Sequence, residues 1–525
     1  MKRQPLAHVE CPLICVAWIS RAILLLVSAL PLLSPTPSRA SEPKPGGAAI
    51  EPPALFDRVE EYRLGNGMLF LLLPRHDVPL VAGRIRFRVG NVDCPAGESG
   101  VAHVFEHMAF QGTDVIGTRD RARELIVEDS VKAAGRALCD ETARGADADS
   151  SRLAALQAEL ERLNQRQWEL TIPNEFSRVY DRYSLSVNAW TSADFTEYET
   201  DIPSNNLEVW MLMESERIQH PSFRGFYRER SVIMEERRES EDDPASMARE
   251  LRYAMAYRAH PYRLPVIGYM SDLETLAQEA AERFRETYYV PGNGVGALIG
   301  DFDPARAKQL LEAYFGDIPP GPPPPAVNTV EPPQQGMRRA VHRQGTEREL
   351  AITFPGFPPA DRRCAVLALL ADVLSRDITS RLDRRLDIEE HAAREVWAWA
   401  SVEQRYPGLL TIHATPLEGF TNEQVEQMIW EELARVVTEP VTEQKLREIK
   451  DSRRKRFYRG LTTNRALADL LLDGQMIYGD WRKIFERMAL TESVTAQEVT
   501  DLATKLLQRD QATVVYLEPE NGGGR

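Results

Sequence analysis

The sequence predicts an α+β protein with α/β-type layers, built as two halves of similar order with a helical insertion in the first. Three observations carry that expectation. At 525 residues the chain is too long for one ordinary core. Strand-like and helix-like stretches alternate in both halves. Between them, residues 318–335 hold the run Gly321, Pro322, Pro323, Pro324, Pro325, which lacks backbone donors and favours extended geometry. It is read as a linker over 318–337, separating a first domain at 55–317 from a second at 338–520, with 521–525 as a tail. A hydrophobic content of 43% and a charged content of 27% are those of a globular chain. The formal net charge is −15 and no basic patch stands out, which argues against nucleic acid as a partner.

Taken in order, residues 1–40 read as an export signal. Lys2 and Arg3 precede the apolar run 22–33 (AILLLVSALPLL), and Ser38 and Ala40 occupy the small-residue places before a cleavage point. Arg21 and Pro31 leave that run too short for a bilayer, so a cleavable signal is favoured over a signal anchor in the membrane. A periplasmic or extracellular location follows. Cys11 and Cys15 leave with the signal; Cys94, Cys139 and Cys364 form no disulfide framework and read as packing residues. Residues 41–54 are a flexible lead.

An Asn66-Gly67 turn before the apolar run 69–73 predicts a strand pair. Ile85, Phe87 and Val89 alternate with Arg84, Arg86 and Arg88, the pattern of a strand buried on one face. Residues 114–180 are a helical insertion, with Leu153, Leu156, Leu160 and Leu163 at helical spacing, expected as a hairpin on the surface. Strand-like alternation returns at 184–191 (SLSVNAWT), one long helical stretch is expected over 207–241, and 290–302 is a loop entering a strand. Past the linker, a strand at 349–355 and an apolar helix at 363–374 repeat the strand–loop–helix order of the first half, consistent with an internal duplication.

The chemistry centres on His103-Val104-Phe105-Glu106-His107, an H-x-x-E-H pattern. Residues four apart on a helix share a face, so both imidazoles can reach one ion, and Glu106 lies beside the open position without coordinating it. With 9 histidines in the chain, such a pattern arises by chance in roughly one comparable sequence per hundred. A third ligand must come from elsewhere. Glu229 and Glu236 lie two turns apart on one helical stripe, with Val232 and Ile233 on the same side; Glu235, Glu239, Glu241, Asp242 and Asp243 crowd the same region. Composition alone leaves the choice among these carboxylates open. His76, His220, His260, His342, His391 and His413 show no ligand spacing, and Trp397 with Trp399 reads as strand packing.

The stretch GVAHVFEHMAFQGT (100–113) resembles the catalytic helix of the pitrilysin/insulinase family of zinc metallopeptidases, the inverzincins that include mitochondrial processing peptidase-like bacterial members. SLSVNAWTSADFTEYE, ERSVIMEE, YYVPGNGVGALIGDFDPARA and TSRLDRRL resemble the same family in the same order, covering most of the chain from about 55 to 520. The resemblance implies two structurally similar domains, each a mostly antiparallel sheet backed by helices, with metal only in the first. It implies one Zn²⁺ per chain on His103, His107 and Glu236, with Glu106 as general base and Glu229 as the supporting acid. It also implies a peptide substrate adding as a strand near Asn188, and an arginine at Arg381 gripping substrate; the family's companion tyrosine falls at Arg394 or nearby. The long separation of Glu236 from His107 is accounted for by the insertion.

The implied activity is zinc-dependent endopeptidase action on peptides or unfolded polypeptide segments. The rival reading, from a different class, is a non-catalytic or weakly active partner subunit that binds peptide for another family member. Such partners lose part of H-x-x-E-H or the distal Glu, and this chain keeps all of them. Family precedent further implies a homodimer, or a heterodimer with an inactive relative.

Overall fold

The computed structural model describes residues 53–520. The export signal, most of the lead and the tail lie outside the described residues.

In the first half, β1 (Glu60–Arg63) and β2 (Leu69–Pro74) pair antiparallel across the Asn-Gly turn, with Tyr62 opposite Phe70. β3 (Leu80–Phe87) leads through a loop to α1 (Val101–Met108). The insertion follows as α2 (Arg121–Thr142), α3 (Ser150–Leu170) and α4 (Glu175–Tyr183). Then come β4 (Ser186–Thr191), β5 (Thr196–Pro203), α5 (Leu207–Gln219), α6 (Phe226–Asp242) and α7 (Pro244–Ala256). The half closes with α8 (Met270–Thr275), α9 (Gln278–Tyr288), β6 (Gly294–Gly300) and α10 (Pro304–Phe315). The six strands form one sheet in the order β1-β2-β6-β3-β5-β4, antiparallel except for β2 against β6. β4 is therefore a terminal strand.

The second half repeats this plan. β7 (Arg338–Arg343), β8 (Glu349–Pro355), α11 (Arg362–Leu374), the single turn α12 (Arg381–Asp383), β9 (Ala393–Ala400) and β10 (Leu409–Pro416) are followed by five helices and a last strand. These are α13 (Asn422–Thr438), α14 (Glu443–Gly460), α15 (Asn464–Tyr478), α16 (Lys483–Ser493), α17 (Ala496–Leu506) and β11 (Thr513–Glu518). Its sheet runs β7-β11-β8-β10-β9, again with one parallel pair, β7 against β11. Both halves are thus mostly antiparallel sheets backed by helices, as the sequence implied.

Each sheet has an inner core against helices of its own half. In the first, Phe70, Leu72, Ile85 and Phe87 pack with Val101, Val104, Phe105 and Met108 of α1, Trp210 of α5 and Ile233 of α6. The outer face is also apolar: Leu69, Leu71, Leu73, Val295, Ala297 and Ile299 are buried against Leu467, Leu471, Leu472 and Met476 of α15. A helix of the second half covers the first sheet, and α7 of the first half lies reciprocally on β7, β8 and β11. The halves exchange a helix.

That exchange corrects the reading of β3 as buried on one face. Arg84 and Arg86 are buried too, beneath α15. Arg84 Nη2 lies 3.1 Å from Asp201 Oδ1, and Arg86 pairs with Glu197 and with Asp473 of α15. Guanidiniums taken out of water require such partners, because an unpaired buried charge is strongly destabilising. The single helix expected over 207–241 is two, α5 and α6, separated where Pro221 removes a backbone donor and Gly225 takes φ 69°. Val232, expected on the same face as Ile233, is 44% exposed. The insertion is a helical hairpin with α3 largely exposed, yet it is also pinned inward. Buried Arg224 pairs with Glu124 of α2 and donates to the Gln111 carbonyl at 2.7 Å.

Leu471 has no exposed surface and lies between the halves. Leu471→Ala should cost about 2–5 kcal/mol. Because each half buries a helix of the other, denaturant or calorimetric unfolding should show one cooperative transition that shifts as a whole; two transitions with only one displaced would contradict the reciprocal packing.

Candidate metal centre

α1 begins at Gly100 with φ 86°, a left-handed conformation that costs glycine little. A Cβ there would sit 2.4 Å from the Ile267 carbonyl oxygen, so glycine is what lets the helix start against the 265–268 turn. Val101, Val104, Phe105 and Met108 face the core, and His103, Glu106 and His107 fall on the part-exposed side. The imidazole rings lie edge to face with centroids 4.7 Å apart.

α6 brings its carboxylates to this face. Glu236 Oε2 is 3.9 Å from His103 Nε2 and 3.8 Å from His107 Nε2. Those separations exceed a hydrogen bond, and one ligand-type atom from each residue lies within 4.8 Å of the other two. Ligands bound tetrahedrally at 2.0–2.1 Å stand about 3.4 Å apart. The two carboxylate–imidazole gaps match a zinc-sized ion once each closes by about half an ångström. The donor set, two neutral nitrogens and a carboxylate, is of the kind zinc takes. Among the described residues no other group of three His, Cys, Asp or Glu side chains converges in this way. Neighbouring acids are otherwise engaged: Glu235 pairs with Arg238, Glu241 with Arg237, and Asp243 caps α7.

Glu229 faces the other side of His107, its Oε1 3.3 Å from Nδ1. Its second oxygen accepts from Gln111 Nε2 at 3.0 Å. A carboxylate on Nδ1 fixes the tautomer that leaves the Nε2 lone pair free, which is what ligation would need. Gln111 was not anticipated, although 103, 107 and 111 repeat at four-residue spacing.

Burial sets the protonation states. It holds His103 down to about 3, with repulsion from His107 adding to it, so this imidazole is neutral. For His107 burial also pulls downward, and the Glu229 hydrogen bond with the charges of Glu236 and Glu106 overcomes it. Burial raises the Glu106 carboxyl, against the Thr191 hydroxyl and His107. Burial raises Glu236 likewise, against His107. Beneath the site Arg217 is fully enclosed, its guanidinium 4.3 Å from the Tyr198 ring centroid and 4.5 Å from that of Phe110, with Glu214 at 3.4 Å.

Asn188 is exposed in the middle of β4, opposite Glu199, and the outer edge of that strand carries no partner among the described residues. Arg381 is brought to Glu432 at 3.0 Å and to the Glu439 carbonyl, an intramolecular commitment of its guanidinium. Arg394 pairs with exposed Glu347. Trp397 stacks on His413 with centroids 4.8 Å apart, whereas Trp399 is 60% exposed and so is not the packing residue expected.

The described residues thus form two matching α+β halves, with a His–His–Glu cluster that could hold a metal in the first alone. The description "Insulinase (Peptidase family M16)" matches residues 160–269, and "Peptidase M16 inactive domain" matches 275–453. Together they span more than half of the chain; the H-x-x-E-H stretch lies before both. The chain belongs to the insulinase family, peptidase family M16. It is similar to zinc protease PqqE of Helicobacter pylori, 21% identical over 485 residues, covering 90% of this chain and 96% of that one. The crystal structure of a protease from Helicobacter pylori superposes with a TM-score of 0.73 at 20% identity, covering 88% of this chain and 99% of the other. The periplasmic protease PqqL from Escherichia coli gives a TM-score of 0.67 at 17% identity, with 89% of this chain matching 48% of that one.

If Gln111 and Glu229 hold His107 as the geometry implies, Gln111→Ala should weaken zinc binding about 10-fold and Glu229→Gln by up to about 100-fold. Competition with a chromophoric chelator would measure both; unchanged affinities would detach these residues from the centre.

Proposed function

We propose that this chain is a zinc-dependent endopeptidase hydrolysing peptides or unfolded polypeptide segments outside the cytoplasm. One observation carries the reading: His103 and His107 of α1 and Glu236 of α6 converge, with Glu106 on the same helix turn. His103, His107 and Glu236 are the residues that would hold the ion, one per chain. When bound, zinc supplies a Lewis acid that acidifies water and polarises a carbonyl.

The rest is done by the protein. Glu106 takes a proton from the attacking water onto its carboxylate and delivers it to the leaving amide nitrogen. Its burial favours the protonated form that this second role needs. Glu229 orients His107 through Nδ1. The free edge of β4 offers main-chain donors and acceptors to an extended peptide, with Asn188 along its path, so selection falls on extended shape more than on side chains. The signal-like N-terminus supports a periplasmic or extracellular site of action. Pairing with a second copy or an inactive relative is the assembly that family precedent favours.

Glu106→Gln should lower kcat/KM on a fluorogenic peptide mixture by about a thousandfold. Native mass spectrometry should still find one zinc per chain. Undiminished cleavage would remove Glu106 from the mechanism, and a wild-type protein that takes up no zinc would favour the non-catalytic partner reading.

A further inference from the structure

The loop at 401–408, between β9 and β10 of the second half, reaches into the first half beside the substrate edge. Its Arg405 side chain is 6% exposed and forms a two-pronged pair with Asp93, Nη1 to Oδ2 at 2.7 Å and Nη2 to Oδ1 at 3.1 Å; Asp93 is 1% exposed. Asp93 lies in the turn after β3. That turn docks on the turn joining β4 to β5: Asn91 N–H donates to the Ser192 carbonyl at 3.1 Å and Val92 N–H to that of Ala193 at 2.9 Å. The approach is tight, since a Cβ at Gly90 would fall 2.5 Å from the Ser192 carbonyl oxygen.

Arg405 grips the same β4–β5 turn directly. Its backbone N–H donates to Asp194 Oδ2 at 3.0 Å and its Nη1 to the Asp194 carbonyl at 3.3 Å. Tyr262 Oη lies 2.6 and 2.7 Å from the two Asp194 oxygens, between which it shares its single proton, and accepts from Tyr406 N–H at 3.2 Å. The residue before this turn is Thr191, the last of β4, the strand that packs against α1 and so lies beside the helix that carries Glu106.

We propose that Arg405, supplied by the half without the metal cluster, is a positioning residue that fixes β4 as the peptide-receiving edge relative to Glu106. The proposal rests on the peptidase reading above for what β4 receives, and on the hydrogen-bonded chain alone for the coupling. A planar guanidinium held through both terminal nitrogens, by a carboxylate and a backbone carbonyl, leaves little rotational freedom, so the turn and the strand end are held in one orientation. Peptide pairing along a strand demands that the edge be straight and in place before binding, because ordering it on binding weakens affinity.

Arg405→Gln alone would strand the Asp93 charge and could compromise folding. The test therefore adds the neutral pair Asp93→Asn/Arg405→Gln, together with Arg405→Lys. In the neutral pair, with thermal stability close to wild type, amide hydrogen exchange over 186–195 should quicken about tenfold or more. KM for an extended peptide should rise about tenfold, while kcat per bound zinc stays within about threefold. Arg405→Lys, which keeps the charge but not the planar fork, should restore part of the KM. A merely structural role would instead reduce the fraction of active enzyme and leave KM and local exchange unchanged; that outcome would overturn the proposal. Should wild type cleave no peptide, the peptidase reading falls while the exchange measurement still decides the coupling of Arg405 to β4.

Discussion

The architecture depends on a sheet with two apolar faces and only one set of local helices to cover them. α1, α5, α6 and α9 bury the inner face of the first sheet. The outer face, with Leu69, Leu71, Leu73, Val295, Ala297 and Ile299, would remain in water if the first half stood alone. Exposing a patch of that kind is costly, since each fully buried aliphatic side chain is worth about 1.5–3 kcal/mol relative to exposure. α15 of the second half covers it, and α7 makes the matching contact on the second sheet. Two halves joined by a proline-rich segment thus behave as one folding unit rather than two beads on a string.

The candidate metal centre inherits its rigidity from this arrangement. α1 is held by its apolar face and by the 265–268 turn at its start, and α6 is fixed through Ile233, Phe226 and Tyr227. α7 continues from α6 after one break, so its docking on the second sheet also restrains the end of α6 beyond Glu236. β4 is tied at its far end by the turn that Arg405 and Tyr262 hold. Helix pair and strand edge are the parts that would have to keep their spacing during hydrolysis, and each is anchored by contacts that cross between the halves.

Much of this was legible in the sequence where a local rule decides it. H-x-x-E-H places two imidazoles on one face whatever surrounds the helix, and the seven-residue step from Glu229 to Glu236 keeps both on one stripe. Resemblance was needed to choose Glu236, because Glu235, Glu239 and Glu241 satisfy composition equally well, and only the crossing of α6 over α1 separates them. Long-range facts were not legible. The alternating arginines of β3 look like a solvent face until α15, nearly 400 residues away, is seen to bring Asp473 to Arg86. Likewise nothing near Arg405 marks it, since its partners Asp93 and Asp194 come from two separate loops of the other half. Arg381 shows the opposite: a family-like position whose charge is met by Glu432 within its own half.

The similar order of elements in the two halves also shows what stands in the second where the first has its ligand set. α11 follows β8 as α1 follows β3, and α14 takes the place in chain order that α6 takes in the first half. Asp372 stands as far from the end of α11 as Glu106 does from the end of α1, and Arg453 as far from the start of α14 as Glu236 from the start of α6. These two side chains meet: Arg453 Nη1 lies 2.6 Å from Asp372 Oδ2, and Arg376 Nη1 reaches the same oxygen at 2.8 Å. The same approach of two helices that in the first half brings two imidazoles to a carboxylate is closed in the second by an ion pair. A guanidinium there carries its own positive charge and its own donors, so it satisfies the acid without an ion and contributes no coordinating atom of its own. The second half keeps the geometry of the first and uses it for cohesion.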